Sequence, residues 1–440
     1  MTKPVVSIVK YEKPMASVRK SVELCGGLDH LPDRARVFIK PNIVMWTQAA
    51  VFPKWGTITT SRVVEDMVVL LKERGVDEIL IGEGIVLPKL KDRATPEHAF
   101  EMLGYKALEK RYGVKCLDIH TRPFETVDLG AGVELNMNAD ILHSDFVVDL
   151  PVLKTHIITV VSLGIKNLKG MLDIESRKKC HGTDPVKDLH YMVARLPNKL
   201  PPSLTLIDGI YTNERGPGIN GKMRRSNILV ASPDILAADM VGAKLLGYEP
   251  AHVPHLVHAA GDRQRSLDLS DIDLRGESIE DNAALHEYDF PYADEGNLPA
   301  FMKKAGVKGL AFPKYDITLC TYCASLYPVV MGAIAQAWKG EPWGDIEVLS
   351  GKMMKPNPDM KKTVLIGKCM CDANQGNPDI QEEISVMGCP PHPKVLVKCL
   401  QKAGFDINPA IVENWEENTG LLMKKYEGKP EFEESFFRIE

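Results

Sequence analysis

Short apolar runs alternate with helically spaced apolar positions through the first half of the chain. Residues 5–9 (VVSIV), 36–40 (RVFIK), 78–81 (EILI) and 145–150 (DFVVDL) read as strands. Between them, residues 17–25 and 61–74 place apolar side chains on one helical face, and Gly75 suits the end of the second helix. The middle repeats the logic. Residues 204–207 (LTLI) and 227–231 (NILVA) are strands, and Ser232-Pro233-Asp234 opens a helix to about Leu246, with Ser232 as its N-cap. The last third restarts with strands at 315–319 (YDITL) and 362–367 (KTVLIG) and helices at 328–338 and 393–403. From Trp415 the tail is charged and aromatic and reads as a docking helix.

This alternation predicts an α/β protein, multi-lobed with mostly parallel sheets. Residues 1–250 are expected to form an α/β core of one or two lobes with an anion-binding crevice. Residues 251–310, polar and rich in charge, are expected to be a linker or excursion, and 311–440 a C-terminal α/β domain that bears the cysteines.

Composition narrows the function classes. The formal net charge of −5 is no footprint for a nucleic-acid binder, which carries a basic face. No run approaches the ~18 apolar residues of a membrane span, and the N-terminus lacks the pattern of a signal peptide. A cytoplasmic protein is therefore expected. Nine cysteines in a reducing compartment argue against a disulfide framework, and five of them fall between Cys320 and Cys389.

Those five sit in Cys320-Thr-Tyr-Cys323, Cys369-Met-Cys371 and Gly388-Cys389-Pro390-Pro391. The first two pairs follow predicted strands directly, and strand ends are where α/β folds bind ligands. Proline after Cys389 stiffens its loop, as in iron–sulfur sites. A [4Fe–4S] cluster is the leading expectation, held by Cys320, Cys323, Cys389 and one of Cys369 or Cys371. If residues 369–371 are extended, both thiols share a face, and either one suffices while loss of both is not tolerated. Zinc held by four thiolates is the alternative, and simple buried thiols are another. Cys25, Cys116, Cys180 and Cys399 read as core.

Polar residues cluster at the other strand ends. Lys40 and Asn42 follow one strand, Asp149, Lys154 and His156 another, and Lys166 and Lys169 come soon after; Asp208 ends a third. Four lysines in such positions suggest a carboxylate or phosphate ligand. Lys40, Asn42, Asp149, Lys169 and Asp208 are the candidate substrate-binding residues. Lys154, Lys166 and His156 are the candidate catalytic residues, with His156 or a lysine moving a proton. Asp149 and Asp208 would orient a lysine or histidine, or cap loops. The loop at 213–218 (NERGPG) matches no nucleotide-binding fingerprint. His252, His255 and His258 recur at three-residue spacing; a metal cluster is one reading, and Pro254 argues against a regular ligand-bearing helix.

The runs IKPNIV (39–44), DLPVLKTH (149–156), GIKNLKG (164–170), IDGI (207–210) and ASPDILAAD (231–239) resemble the prokaryotic family catalogued as Domain of Unknown Function 362, over roughly residues 5–260. The resemblance implies an iron–sulfur association, since members often carry ferredoxin-like segments. This chain lacks their C-x-x-C-x-x-C-x-x-x-C-P run, so one cluster is expected and not two. The combined expectation is an iron–sulfur oxidoreductase or lyase acting on a small anionic substrate, with a redox partner protein and a homodimer as associations. Two other classes stay open: a non-catalytic electron-transfer or partner subunit, and a zinc-stabilised hydrolase or binding protein.

Overall fold

Most of the apolar runs become strands. They are β1 (Val5–Lys10), β2 (Arg36–Pro41), β3 (Glu78–Glu83), β4 (Lys115–Asp118), β5 (Phe124–Asp128), β6 (Glu134–Asn138), β7 (Phe146–Leu150), β8 (Val152–His156), β9 (Val160–Ser162), β10 (Ser203–Glu214), β11 (Lys222–Ser232), β12 (Asp273–Gly276), β13 (Leu310–Ala311), β14 (Ile346–Ser350), β15 (Lys362–Ile366) and β16 (Glu383–Val386). The computed structural model describes residues 3–86 and 92–439. It divides into one unit of residues 1–180, 190–289 and 422–440 and a second of residues 181–189 and 290–421.

The first unit holds a ten-stranded sheet in the order β12-β1-β11-β10-β7-β2-β3-β4, with β8 on β10 and β9 on β8. Strands β7, β2, β3 and β4 run parallel, while β11 is antiparallel to both β1 and β10. Strand β7 is buried at all five positions, as a central parallel strand covered on both faces must be. Its last residues, and those of β2 and β3, deliver polar side chains to one edge of the sheet.

Residues 251–310 are not an unstructured link. They hold the helix Pro254–Asp262 and the edge strand β12, which pairs with β1 in parallel. Pro254 stands at the first turn of that helix, where a missing N–H costs nothing, so it starts the helix that it was expected to disrupt. The tail docks through rings and not through a long helix. Tyr426, Phe432 and Phe437 pack with Trp55 and Tyr211 in the core of the first unit.

The second unit is built on a four-stranded parallel sheet, β13-β14-β15-β16. The strand expected at 315–319 is absent. The Asp316 carboxylate takes the backbone N–H of Thr318 at 2.7 Å and turns the chain there. A helix then runs from Thr321 to Ala337 with Cys320 as its N-cap and Pro328 inside it. It starts a full two turns before the position that Pro328 suggested. Among the described residues, no helix is long and apolar enough to cross a membrane.

Gly56 shows how backbone contacts set the site. It has φ +64°, and a Cβ there would lie 2.4 Å from the Thr212 carbonyl oxygen. The next carbonyl, Thr57 O, accepts Asn42 Nδ2 at 2.5 Å and Lys154 Nζ at 2.9 Å. Gly56→Ala should lower stability by about 1–3 kcal/mol from overpacking, beyond the ~1 kcal/mol of the left-handed backbone alone. Gly75→Ala, with φ +77° and nothing within 4 Å of its added Cβ, is the control that carries only the second cost. Urea unfolding midpoints of the two variants make the comparison.

Candidate functional site

Lys40 and Glu83 stand at the ends of adjacent strands β2 and β3, both within the interior. Lys40 Nζ donates to Glu83 Oε2 at 2.7 Å, to Pro41 O at 2.6 Å and to Asn167 Oδ1 at 3.1 Å. An ammonium has three N–H donors, and these three contacts use them all. Lys40 is therefore a structural cation, not the anion-binding side chain that its position suggested. Glu83 also accepts the backbone N–H groups of Ile43 and Gly84. Burial pushes its carboxyl up, but the Lys40 ammonium and these donors outweigh burial and hold it below the usual range. Glu83 sits between two glycines in the sequence; nothing there marks it as the partner of Lys40.

Asp149, in register with Lys40 on β7, receives Asn167 Nδ2 at 2.8 Å, while its Oδ2 has no partner among the described residues. Burial raises its carboxyl well above the ordinary range, the amide of Asn167 and Lys40 only partly opposing, and Asp239 adds to the rise. Asp239 accepts the backbone N–H groups of Gly164 and Ile165 at 2.7 and 2.9 Å, so it seats the helix Gly164–Asn167. Burial lifts Asp239 to about 7 despite those two donors. The glycines that bound this segment have a steric reason. A Cβ on Gly164 would meet Asp239 Oδ1 at 2.9 Å, and one on Gly170 would meet Glu83 Oε1 at 2.4 Å and Lys40 Nζ at 2.9 Å.

Asp208 caps backbone, taking Thr60 N at 2.7 Å and Ile210 N at 3.0 Å, and Asn42 ties its strand end to Thr57 and Thr59. Burial raises Asp208 to about 6. Neither residue orients a lysine or histidine; both hold loops in place.

The remaining candidates form the part with unspent chemistry. Lys154 is buried, and its only hydrogen bond among the described residues is to Thr57 O. Burial lowers its ammonium to about 7, with Glu83 partly opposing. Lys166 Nζ lies 3.4 Å from His156 Nε2. Burial, then the neighbouring Lys169, hold Lys166 well below its ordinary value. His156 Nδ1 accepts the backbone N–H groups of Ile158 and Thr159 at 3.0 and 3.4 Å. The neutral ring therefore carries its proton on Nε2, the nitrogen that faces Lys166. No ion pair involves Lys154 or Lys166 among the described residues. Three side-chain-bearing residues around this region, Val44, Val160 and Arg215, have φ of +56°, +63° and +55°. Such strain is retained where surrounding structure enforces it, and functional sites are the usual place.

In the second unit, Gly367 and Gly388 follow the paired strands β15 and β16, and backbone hydrogen bonds Gly367 N to Val386 O (3.0 Å) and Lys368 N to Gly388 O (2.8 Å) lash the two loops together. Cys369 and Cys389 ride on those loops. A Cβ on Gly367 would lie 3.3 Å from Cys323 Sγ and 4.0 Å from Cys369 Sγ. Cys320 and Cys323, three apart on one helical turn, meet each other, and the charges of Cys320, Cys369 and Cys389 all act on Cys323. The hydrogen bond with Cys320, then burial and the neighbouring thiols, push the Cys323 thiol up. Cys371 is elsewhere. Residues Lys368–Ala373 are helical, so positions two apart point to different faces, and the shared-face expectation for 369 and 371 does not hold. The Cys371 thiol donates to Leu365 O at 3.4 Å and packs with Leu349, Leu365 and Met370. No disulfide forms among the described residues. Nor does any group of three or more His, Cys, Asp or Glu side chains there have the arrangement that holds a single metal ion, His252, His255 and His258 included.

The family model described as domain of unknown function DUF362 matches residues 37–244. The thylakoid-associated protein sll1697 of Synechocystis is 26% identical over 244 residues, which are 54% of this chain and 72% of that protein. Among solved structures, the lactate racemase apoprotein from Thermoanaerobacterium thermosaccharolyticum aligns at 15% identity and a TM-score of 0.34, over 56% of this chain and 57% of that one. A protein from Thermotoga maritima aligns at 11% identity and a TM-score of 0.27, over 58% of this chain and 60% of that one. The chain thus spans less than two thirds of either solved structure.

The Lys40–Glu83 pair makes a direct prediction. Lys40→Met or Glu83→Gln alone leaves a buried group without its partner and should cost about 3–5 kcal/mol. The double variant should recover more than half of the summed loss. A double-mutant cycle by denaturant unfolding measures the coupling.

Proposed function

We propose that this chain, whose residues 37–244 match the DUF362 family model, is an iron–sulfur protein that acts on a small carboxylate or phosphate by redox or lyase chemistry. The observation that carries this reading is the grouping of Cys320, Cys323, Cys369 and Cys389 in the second unit. Four thiols from two glycine-ended strand loops and one helical turn match the donor set of a [4Fe–4S] cluster. A cluster closed by four thiolates supplies one-electron transfer. Cys371 is left out of the set because its sulfur faces the core.

The anion reading rests on the first unit. Lys154 and Lys166 are buried bases with no carboxylate hydrogen-bonded to them. A ligand that brings negative charge to them supplies the counter-charge that the fold leaves out. His156 Nε2–H, held by the tautomer argument above, is placed to give or hold a proton beside Lys166. Lys169, buried nearby, adds to the same field.

Anaerobically purified protein should be brown, with about four iron and four acid-labile sulfide per chain. Cys320→Ser, Cys323→Ser, Cys369→Ser and Cys389→Ser should each abolish the colour, while Cys371→Ser keeps it. Fresh anaerobic protein that holds tightly bound zinc and no iron would falsify the cluster.

Inorganic phosphate or acetate binding tests the second half. Lys154→Ala and Lys166→Ala should each weaken it by about tenfold, since a charge-assisted contact is worth roughly 1.5–3 kcal/mol. Lys398→Ala, on the exposed face of the helix Pro393–Ala403, should not. The Lys154 ammonium is present below its value of about 7 and lost above it. Binding should therefore weaken as pH rises through 7 in wild type, and this step should be smaller in Lys154→Ala. Equal affinity in all variants removes the anion site.

A further inference from the structure

His255 is a buried imidazole that the fold does not satisfy. It projects from the helix Pro254–Asp262 with no exposed surface, and among the described residues neither ring nitrogen has a hydrogen-bond partner. Interiors pair more than nine-tenths of their polar groups, so a ring with both nitrogens open calls for a specific cause. A leucine would fill the position without that cost.

Its surroundings point to the kind of group that is missing. The His255 ring stacks on His190, with centroids 6.1 Å apart and planes 9° from parallel. The charged or titratable groups that act on it are His190, Lys166 and His258, all bases. His258 turns its edge to Tyr191, with centroids 5.5 Å apart. Lys166 in turn faces His156, Lys169 and Lys154, with Cys180 close by. Among the described residues, no carboxylate is hydrogen-bonded or ion-paired to Lys166 or His255, and their charged neighbours are bases. A neutral imidazole offers one N–H donor and one acceptor. A carboxylate or phosphate oxygen accepts from one ring nitrogen, and a proton taken up by the bases balances the charge that it brings.

We propose that His255 is a further ligand-binding residue, forming with Lys166 the inner wall of the anion site, and that a carboxylate or phosphate enters this site together with a proton. Burial among other bases disfavours the charged form of both Lys166 and His255. An anion reverses that balance, so the bound state holds a proton that the free state does not. The inference rests on reading Lys154 and Lys166 as an anion site.

Titration calorimetry of the full-length, anaerobically purified protein tests it, with inorganic phosphate and acetate as separate probes. Measurements at pH 8 in two buffers of different ionisation enthalpy give the protons taken up. Wild type should bind one of the two anions with net proton uptake. His255→Leu should bind it at least tenfold more weakly, with less proton uptake, while its thermal midpoint stays level or rises. His255→Gln keeps a donor and an acceptor but cannot ionise. It should bind with intermediate affinity and reduced uptake, and it serves if the leucine variant does not fold. Wild-type affinity and uptake in both variants would overturn the role of His255 and leave the lysine site standing; water alone then occupies the ring. Wild type that binds neither anion overturns the anion site itself, and this inference with it.

Discussion

Keeping an ammonium charged in a protein interior is costly without an anion and a full set of acceptors, and Lys40 is wholly enclosed. Glu83 provides the charge, Pro41 O and Asn167 Oδ1 the other acceptors. That requirement fixes three separate stretches of chain relative to one another: the end of β2, the end of β3 and the short helix Gly164–Asn167. Asn167 then reaches Asp149, and Asp239 holds the start of the same helix. Lys166 and Lys169 owe their positions to this arrangement. The buried pair is thus a framework, and the buried bases Lys166 and Lys169 are mounted on it.

The two units carry different kinds of chemistry. The first concentrates buried bases whose charge the surrounding protein does not balance. The second concentrates thiols at the glycine-ended loops of a small parallel sheet. Lys40, Glu83 and Asp149 in the first unit and Cys369 and Cys389 in the second stand at or just past the carboxyl ends of parallel strands, where α/β folds bind ligands, while Cys320 and Cys323 come from a helix start. Glycine recurs at these points because neighbouring groups approach too closely for a Cβ at Gly164, Gly170 and Gly388, and because Gly367 holds a φ of +99°.

Much of this was readable in the residues. Apolar runs such as RVFIK and DFVVDL announced central strands because a parallel strand buried on both faces needs an unbroken apolar stretch. The polar motifs that follow them do come together at one sheet edge. What could not be read was the use to which each polar group is put. Lys40 and Lys154 look alike in sequence, yet one is spent on Glu83 and the other keeps most of its donors. The difference depends on which strand lies next to β2, a fact of topology. Local turn chemistry defeated two other readings. Asp316 bends a segment with strand-like residues, and the helical turn after Gly367 separates Cys369 from Cys371. His255 was visible only as one of three regularly spaced histidines; its unsatisfied nitrogens are a property of packing.

The aromatic tail has a consequence for how the chain is made. Tyr426, Phe432 and Phe437 belong to the core that contains Trp55 and Tyr211, although some 370 residues separate Trp55 from Tyr426 in sequence. The second unit lies almost wholly within that interval. During synthesis the first unit emerges early but lacks the rings that complete its interior. The inserted unit has its strands and both thiol loops available before residues 422–440 leave the ribosome. The part made first is therefore completed late, and a nascent chain exposes the apolar surface around Trp55 until Tyr426, Phe432 and Phe437 have been made.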